Sequence, residues 1–240
     1  MVESIKELEK ICQKGHKEVW TARYIYRKIA IYFTKLFLYT PISANGVSVL
    51  SFISGLPSIL FFSFGDYYYS ILGSILLFFW MVFDYSDGQV ARYRKNVSIK
   101  GEYLETVFGV VQSLAFMGIS FGSYSRLGNL AFLLGFSTVI SVHYYRELLW
   151  KKHFLTKSKR IKTSKSKIKK AGFDILMRKF YYKVDFIFSA ATIVLAVLLG
   201  SLLNILHLVL LFYGAAFPVY ILGIIVYRLH YGLEKSKTLI

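Results

Sequence analysis

In the stretch FDYSDGQVAR, Asp84, Asp87, Gly88 and Ala91 are spaced i, i+3, i+4 and i+7, so on a helix they share one face. Arg92 extends that stripe by one residue, and Gly101 and Glu105 repeat the i, i+4 spacing shortly afterwards. Gly88 and Ala91 clear side chains away between the aspartates, so a bulky group can approach the backbone there. Clustered carboxylates with no Cys or His among them suit a hard cation, Mg²⁺ or Mn²⁺, and such ions are commonly held jointly with substrate phosphates. Beside Arg92, Arg94 and Lys95 the same carboxylates would also serve as plain interfacial ion pairs. Cost favours the metal reading: an ionisable group at the centre of a membrane helix costs about 2.5–3.5 kcal/mol, and such groups are as a rule functional.

The elements that must position these residues are apolar. The chain has 240 residues, 55% hydrophobic and 18% aromatic, and only 18% charged. A soluble domain carries roughly 25% charged residues. Long apolar runs account for the difference: 46–64, 67–83, 103–125 (with Glu105 near its start), 127–145 and 186–227. The first four are each about as long as a spanning helix, and the last is long enough for two. Asn204 and His207 mark the expected turn inside that last run. The predicted fold is therefore all-α and integral to the membrane, with six transmembrane helices forming one domain over residues 41–240. Residues 1–40 are predicted as interfacial segments. Ile5, Leu8, Ile11 and Cys12 fall at helical spacing for an amphipathic surface helix, and YIYRKIAIYFTKLFLY is expected to lie in the interface with its Tyr, Arg and Lys tips reaching the headgroups.

The net charge of +17 finds its explanation in topology. Of the 30 Lys and Arg residues, 29 fall on one side of the predicted spans, and only Arg126 falls on the other. That side is expected to be the cytoplasm, with both termini and the site there. The basic segment 151–183 is predicted as the one long cytoplasmic loop, with a short helix near FDILMRKFYYK, lying against anionic headgroups rather than nucleic acid. MVESIKELEK has no apolar core and does not resemble a cleavable signal. The lone Cys12 excludes an internal disulfide. A transporter built on inverted repeats lacks both a visible repeat and a charge in mid-span.

DYSDGQVAR followed by Gly101 and Glu105 resembles the signature of the CDP-alcohol phosphotransferase (CDP-alcohol phosphatidyltransferase) family, D-x-x-D-G-x-x-A-R, a gap, then G-x-x-x-D-x-x-x-D. The first half matches at Asp84, Asp87, Gly88, Ala91 and Arg92, and TPISANGVSVL resembles the family's Thr-Pro-x-x-x-Asn entry to its first span. The resemblance implies six spans, a homodimer formed through membrane helices and a cell-membrane location. It also implies transfer of a substituted phosphoryl group from a CDP-alcohol to an acceptor alcohol, releasing CMP, as in phospholipid synthesis. By the same resemblance Asp84, Asp87 and the third acidic position hold the metal, and Gly88, Ala91, Arg92 and Gly101 line the nucleotide site.

The second half departs from the signature. The third aspartate is Glu105, and the fourth, in the family a metal ligand and the base that deprotonates the acceptor, is Gly109. A glycine can do neither. Glu102, about 60° around the helix from Glu105, is the candidate substitute base, with Gln112, His143, Glu147 and Asp185 weighed as interfacial hydrogen-bonding groups. Arg146 suits a phosphate clamp. The alternative reading is a non-catalytic relative that binds the nucleotide or scaffolds a partner enzyme. On that reading Gly109→Asp is expected to restore the fourth carboxylate.

Overall fold

The computed structural model describes residues 2–12, 19–159, 184 and 186–237, and every regular element among them is a helix. The short α1 (Ile5–Cys12) precedes a π-helical turn (Ala22–Tyr26) that runs straight into α2 (Arg27–Leu38). There follow α3 (Ala44–Ser63), α4 (Tyr67–Tyr93), α5 (Ile99–Phe108), α6 (Val110–Gly122), α7 (Tyr124–Leu127) and α8 (Asn129–Lys159). The last two are α9 (Ala190–Leu202) and α10 (Leu206–Lys237).

Local chemistry sets the starts. Ser43 caps α3 by accepting from the Gly46 amide at 3.1 Å, Asp66 caps α4 by accepting from Tyr68 and Tyr69, and Ser189 caps α9 by accepting from Thr192. The α3 residues Ser48, Ser51, Gly55, Ser58 and Phe62 alternate three and four apart and are all buried. Small residues on this face let three helices close up, as membrane packing without a hydrophobic drive requires. A Cβ at Gly55 would meet the Trp80 ring of α4 at 2.9 Å and Val111 of α6 at 2.7 Å. One at Gly118 would meet the Ile59 carbonyl of α3 at 2.3 Å. So α3 is the spine against which α4 and α6 lie, while α8 and α10 pack on each other behind α6.

Among the described residues three helices are long and apolar enough to cross a membrane: Ala44–Ser63, Tyr67–Tyr93 and Leu206–Val226. Thr106–Gly122 and Ala190–Leu202 are apolar but shorter. The all-helical membrane class therefore holds on three clear spans. The third apolar run is helical on both sides of a one-residue turn at Gly109. Between α9 and α10, Asn204 takes a positive φ of 56°, which makes the expected turn. Arg126 fastens that turn to the α6–α8 connection, donating to the Asn204 carbonyl at 2.9 Å and to its side-chain oxygen at 3.0 Å.

Two expectations change. The segment expected as loop from Lys151 is helical to begin with, because α8 runs on to Lys159; FDILMRKFYYK lies outside the described residues. Arg27 does not reach outward as an interfacial side chain. It is buried, with its guanidinium 6.0 Å from the centre of the Tyr85 ring, because α2 packs along α4 rather than standing apart from it. That packing is tied by polar contacts, Thr34 to Gln89 at 2.8 Å and Ser86 to the Ala30 carbonyl at 3.2 Å.

Candidate active site

α4 has 27 residues and spans about 40 Å, so its apolar part crosses a hydrocarbon core of about 30 Å and leaves a polar end. Asp84, Asp87, Gly88, Ala91 and Arg92 all lie on that end, half-buried, in the register their spacing predicted. Asp87 is held from α3: the Ser48 hydroxyl donates to its Oδ2 at 2.5 Å, a charge-assisted bond that orients the carboxylate. Ser48 lies one turn past Asn45, and Gly101 at the start of α5 comes within 3.6 Å of the Asn45 amide oxygen, measured to where its Cβ would be. A turn farther on, Phe52 of α3 stacks on Phe108 of α5 at 4.7 Å between centroids. One face of α3 thus brings the two halves of the signature together.

Arg92 has a partner that its sequence context does not reveal. Its Nε donates to the Cys12 carbonyl at the end of α1, and its guanidinium lies over Gly88, 3.2 Å from where a Cβ would stand. An arginine from α4 thus ties α1 to the signature helix. Beside this contact the Tyr93 hydroxyl donates to Glu3, which holds the Glu3 carboxyl below the usual carboxylate range. Leu8 and Cys12 are fully buried in this contact, while Ile11 is exposed.

Gly109 is the other surprise. It is buried, and a Cβ there would stand 1.7 Å from Nη2 and 2.0 Å from Nη1 of Arg146. The Arg146 guanidinium, brought by α8, fills the space where any side chain at position 109 would begin. Its Nη2 donates to the Thr106 carbonyl at 3.2 Å, just where the helix breaks between α5 and α6. A side chain inserted into the carbonyl ladder is one of the few physical causes of such a break. One turn on, Gln112 is buried and its amide nitrogen has no partner among the described residues. His143, one turn before Arg146 on α8, is exposed.

A family model, CDP-alcohol phosphatidyltransferase, matches residues 41–219. The chain belongs to that family. No curated protein matches it closely enough to name. As a CDP-alcohol phosphatidyltransferase family member it falls among transferases that move phosphoryl-alcohol groups in lipid synthesis, and its apolar helices make it a membrane-embedded protein.

Family members typically use divalent metals, and the residues present fit such an ion. Asp84 and Asp87 offer hard oxygens from one face of α4, and Ser48 already fixes one of them. Among the described residues no group of three His, Cys, Asp or Glu side chains gathers. Glu102 and Glu105 both lie on α5, and their side chains are outside the described set, as is the whole of Asp185. Reading the sequence missed Ser48 and the hold of Cys12 on Arg92. A serine one turn inside a capped helix was the only available signal for Ser48, and a backbone carbonyl leaves none.

Proposed function

We propose that the protein transfers a substituted phosphoryl group from a CDP-alcohol to an acceptor hydroxyl and releases CMP. The observation that supports this most is the Asp84–Asp87 face of α4, with Asp87 oriented by Ser48, inside a complete nucleotide-side half of the signature. Asp84, Asp87 and Glu105 would hold Mg²⁺ or Mn²⁺, which when bound would offset the charge of the pyrophosphate. Gly88, Ala91 and Gly101 would leave the backbone open to the nucleotide, and Arg92 would hold that end of α4 in place through α1. The acceptor oxygen would form its new bond to the transferred phosphorus as the bond from that phosphorus to CMP breaks. The acceptor's proton would go to Glu102, because position 109 offers no carboxylate. Losing a positioned base costs typically 10²–10⁴-fold, so the rate depends on how well Glu102 substitutes.

The basic asymmetry supports six spans with both termini and the site in the cytoplasm of a cell membrane. It also supports contact of the basic stretch with anionic headgroups. A homodimer through membrane helices completes this reading, by family likeness alone.

A second reading is favoured by one observation, the Arg146 guanidinium beside Gly109. On it, the protein binds the CDP-alcohol without turning it over, or scaffolds a partner enzyme. CMP release from CDP-diacylglycerol, with a panel of alcohols and Mg²⁺ or Mn²⁺, separates the two. Turnover that disappears in Asp87→Asn supports the transferase. Metal-dependent CDP binding without turnover for any alcohol supports the binder.

A further inference from the structure

At position 109 the chain does more than omit a carboxylate: it puts a positive charge in the same place. The Arg146 guanidinium lies within 2.1 Å of where a Cβ of residue 109 would stand, as measured from its central carbon. Its contact with the Thr106 carbonyl holds it at the break between α5 and α6. Position 109 follows Phe108, which stacks on Phe52, one turn along α3 from the Ser48 that binds Asp87. The guanidinium therefore belongs to the same end of the bundle as the aspartates.

We infer that Arg146 takes the place of a second cation, one that a fourth carboxylate at position 109 would otherwise help to hold, so that the site works with a single divalent ion. This rests on the transferase reading above, or on its nucleotide-binding alternative. The charge balance supports it. Exchanging a carboxylate for a guanidinium changes the local charge by two, which is the charge of one divalent ion. A two-ion clamp neutralises the transferring group from both sides. Here one side is a group that stays protonated at any working pH and meets phosphate oxygens through two parallel N–H bonds. A second ion beside it would face a like charge, and position 109 supplies no carboxylate to offset it. The buried Gln112 amide, one turn on, offers a further donor to an oxygen-rich ligand at this place. The group bound here is the terminal phosphoryl of a nucleoside diphosphate, which a monophosphate lacks.

The test uses the full chain, purified in detergent, with Mn²⁺ counted by electron paramagnetic resonance at saturating CDP. One ion per chain is expected in the wild type, and two in the Arg146→Ala/Gly109→Asp double variant. Two ions in the wild type, or one in a double variant that melts like the wild type, overturn the inference. Should the double variant fail to fold, Arg146→Ala alone decides. Its CDP affinity is expected to fall about tenfold while its CMP affinity stays unchanged. Unchanged CDP affinity, or equal losses for CDP and CMP, overturn it. Absence of any CDP-dependent Mn²⁺ binding in the wild type sinks the nucleotide–metal reading itself, a result distinct from a count of two.

Discussion

The Ser48 hydroxyl donates to Asp87 across 39 positions of sequence, at 2.5 Å, and so couples the capped start of α3 to the acidic end of α4. Ser48→Ala is expected to lower kcat/KM for CMP release about tenfold, the value of one hydrogen bond to a charged group. Ser48 lies on the packed face of α3, so a thermal melt should accompany the kinetics. A folded variant with unaltered kcat/KM would show that the bond does not serve the site.

Asp87→Asn keeps the shape and removes the charge. It is expected to abolish Mn²⁺-dependent CDP binding while leaving the Tm within a few degrees of the wild type, because an amide does not offset the dehydration of the cation. Isothermal titration with CDP, with and without Mn²⁺, reads this directly. Retained binding would return the aspartates to the role of interfacial ion pairs.

Gly109→Ala places a methyl group where the Arg146 guanidinium lies. The obstacle is the far end of a flexible side chain, so the fold is expected to survive. The guanidinium must move off the Thr106 carbonyl, and CDP affinity is expected to fall as it does in Arg146→Ala. Gly109→Asp alone is expected to pair with Arg146 rather than present a free carboxylate. Restored turnover from that single change would count against this pairing.

The hold of α1 on α4 is expected to weaken in acid. Its hydrogen bond from Tyr93 holds the Glu3 carboxyl below the usual carboxylate range. A carboxylate held low in the folded protein contributes stability that is present above its ordinary value, about 4.3, and is lost as pH falls through the lower folded value. The protection factors of residues 5–12, with exchange rates corrected for their intrinsic pH dependence, should therefore fall on acidification below about pH 4. In Glu3→Gln the protection is expected to be low already at neutral pH and to show no such step. A wild type with no such acid step would remove Glu3 from this role.

Topology can be read with two single-cysteine reporters in a Cys12→Ala background, Tyr124→Cys at the Arg126 end and Asn96→Cys just past the signature helix. Both positions are exposed. A membrane-impermeant maleimide added to intact cells is expected to label the first and miss the second, following the basic asymmetry. The reverse pattern would put the aspartates on the side that cytoplasmic CDP-alcohols do not reach.

The amino-acid sequence by itself determined the membrane class and the common face of Asp84, Asp87, Gly88, Ala91 and Arg92. These are local properties, set by hydropathy and by the helical period. It also showed that position 109 lacks a carboxylate. Only the tertiary structure decided what stands there instead, because Arg146 reaches Gly109 through the way α8 packs on α6. The same holds for Ser48 on Asp87, for the Cys12 carbonyl on Arg92, and for Arg27, which turned inward onto Tyr85. Each pairs residues far apart in sequence, and the angle and depth at which two helices meet follow from all their facing side chains together. No spacing within one segment contains that information, so helix packing placed both the guanidinium and the hydroxyl that complete the site.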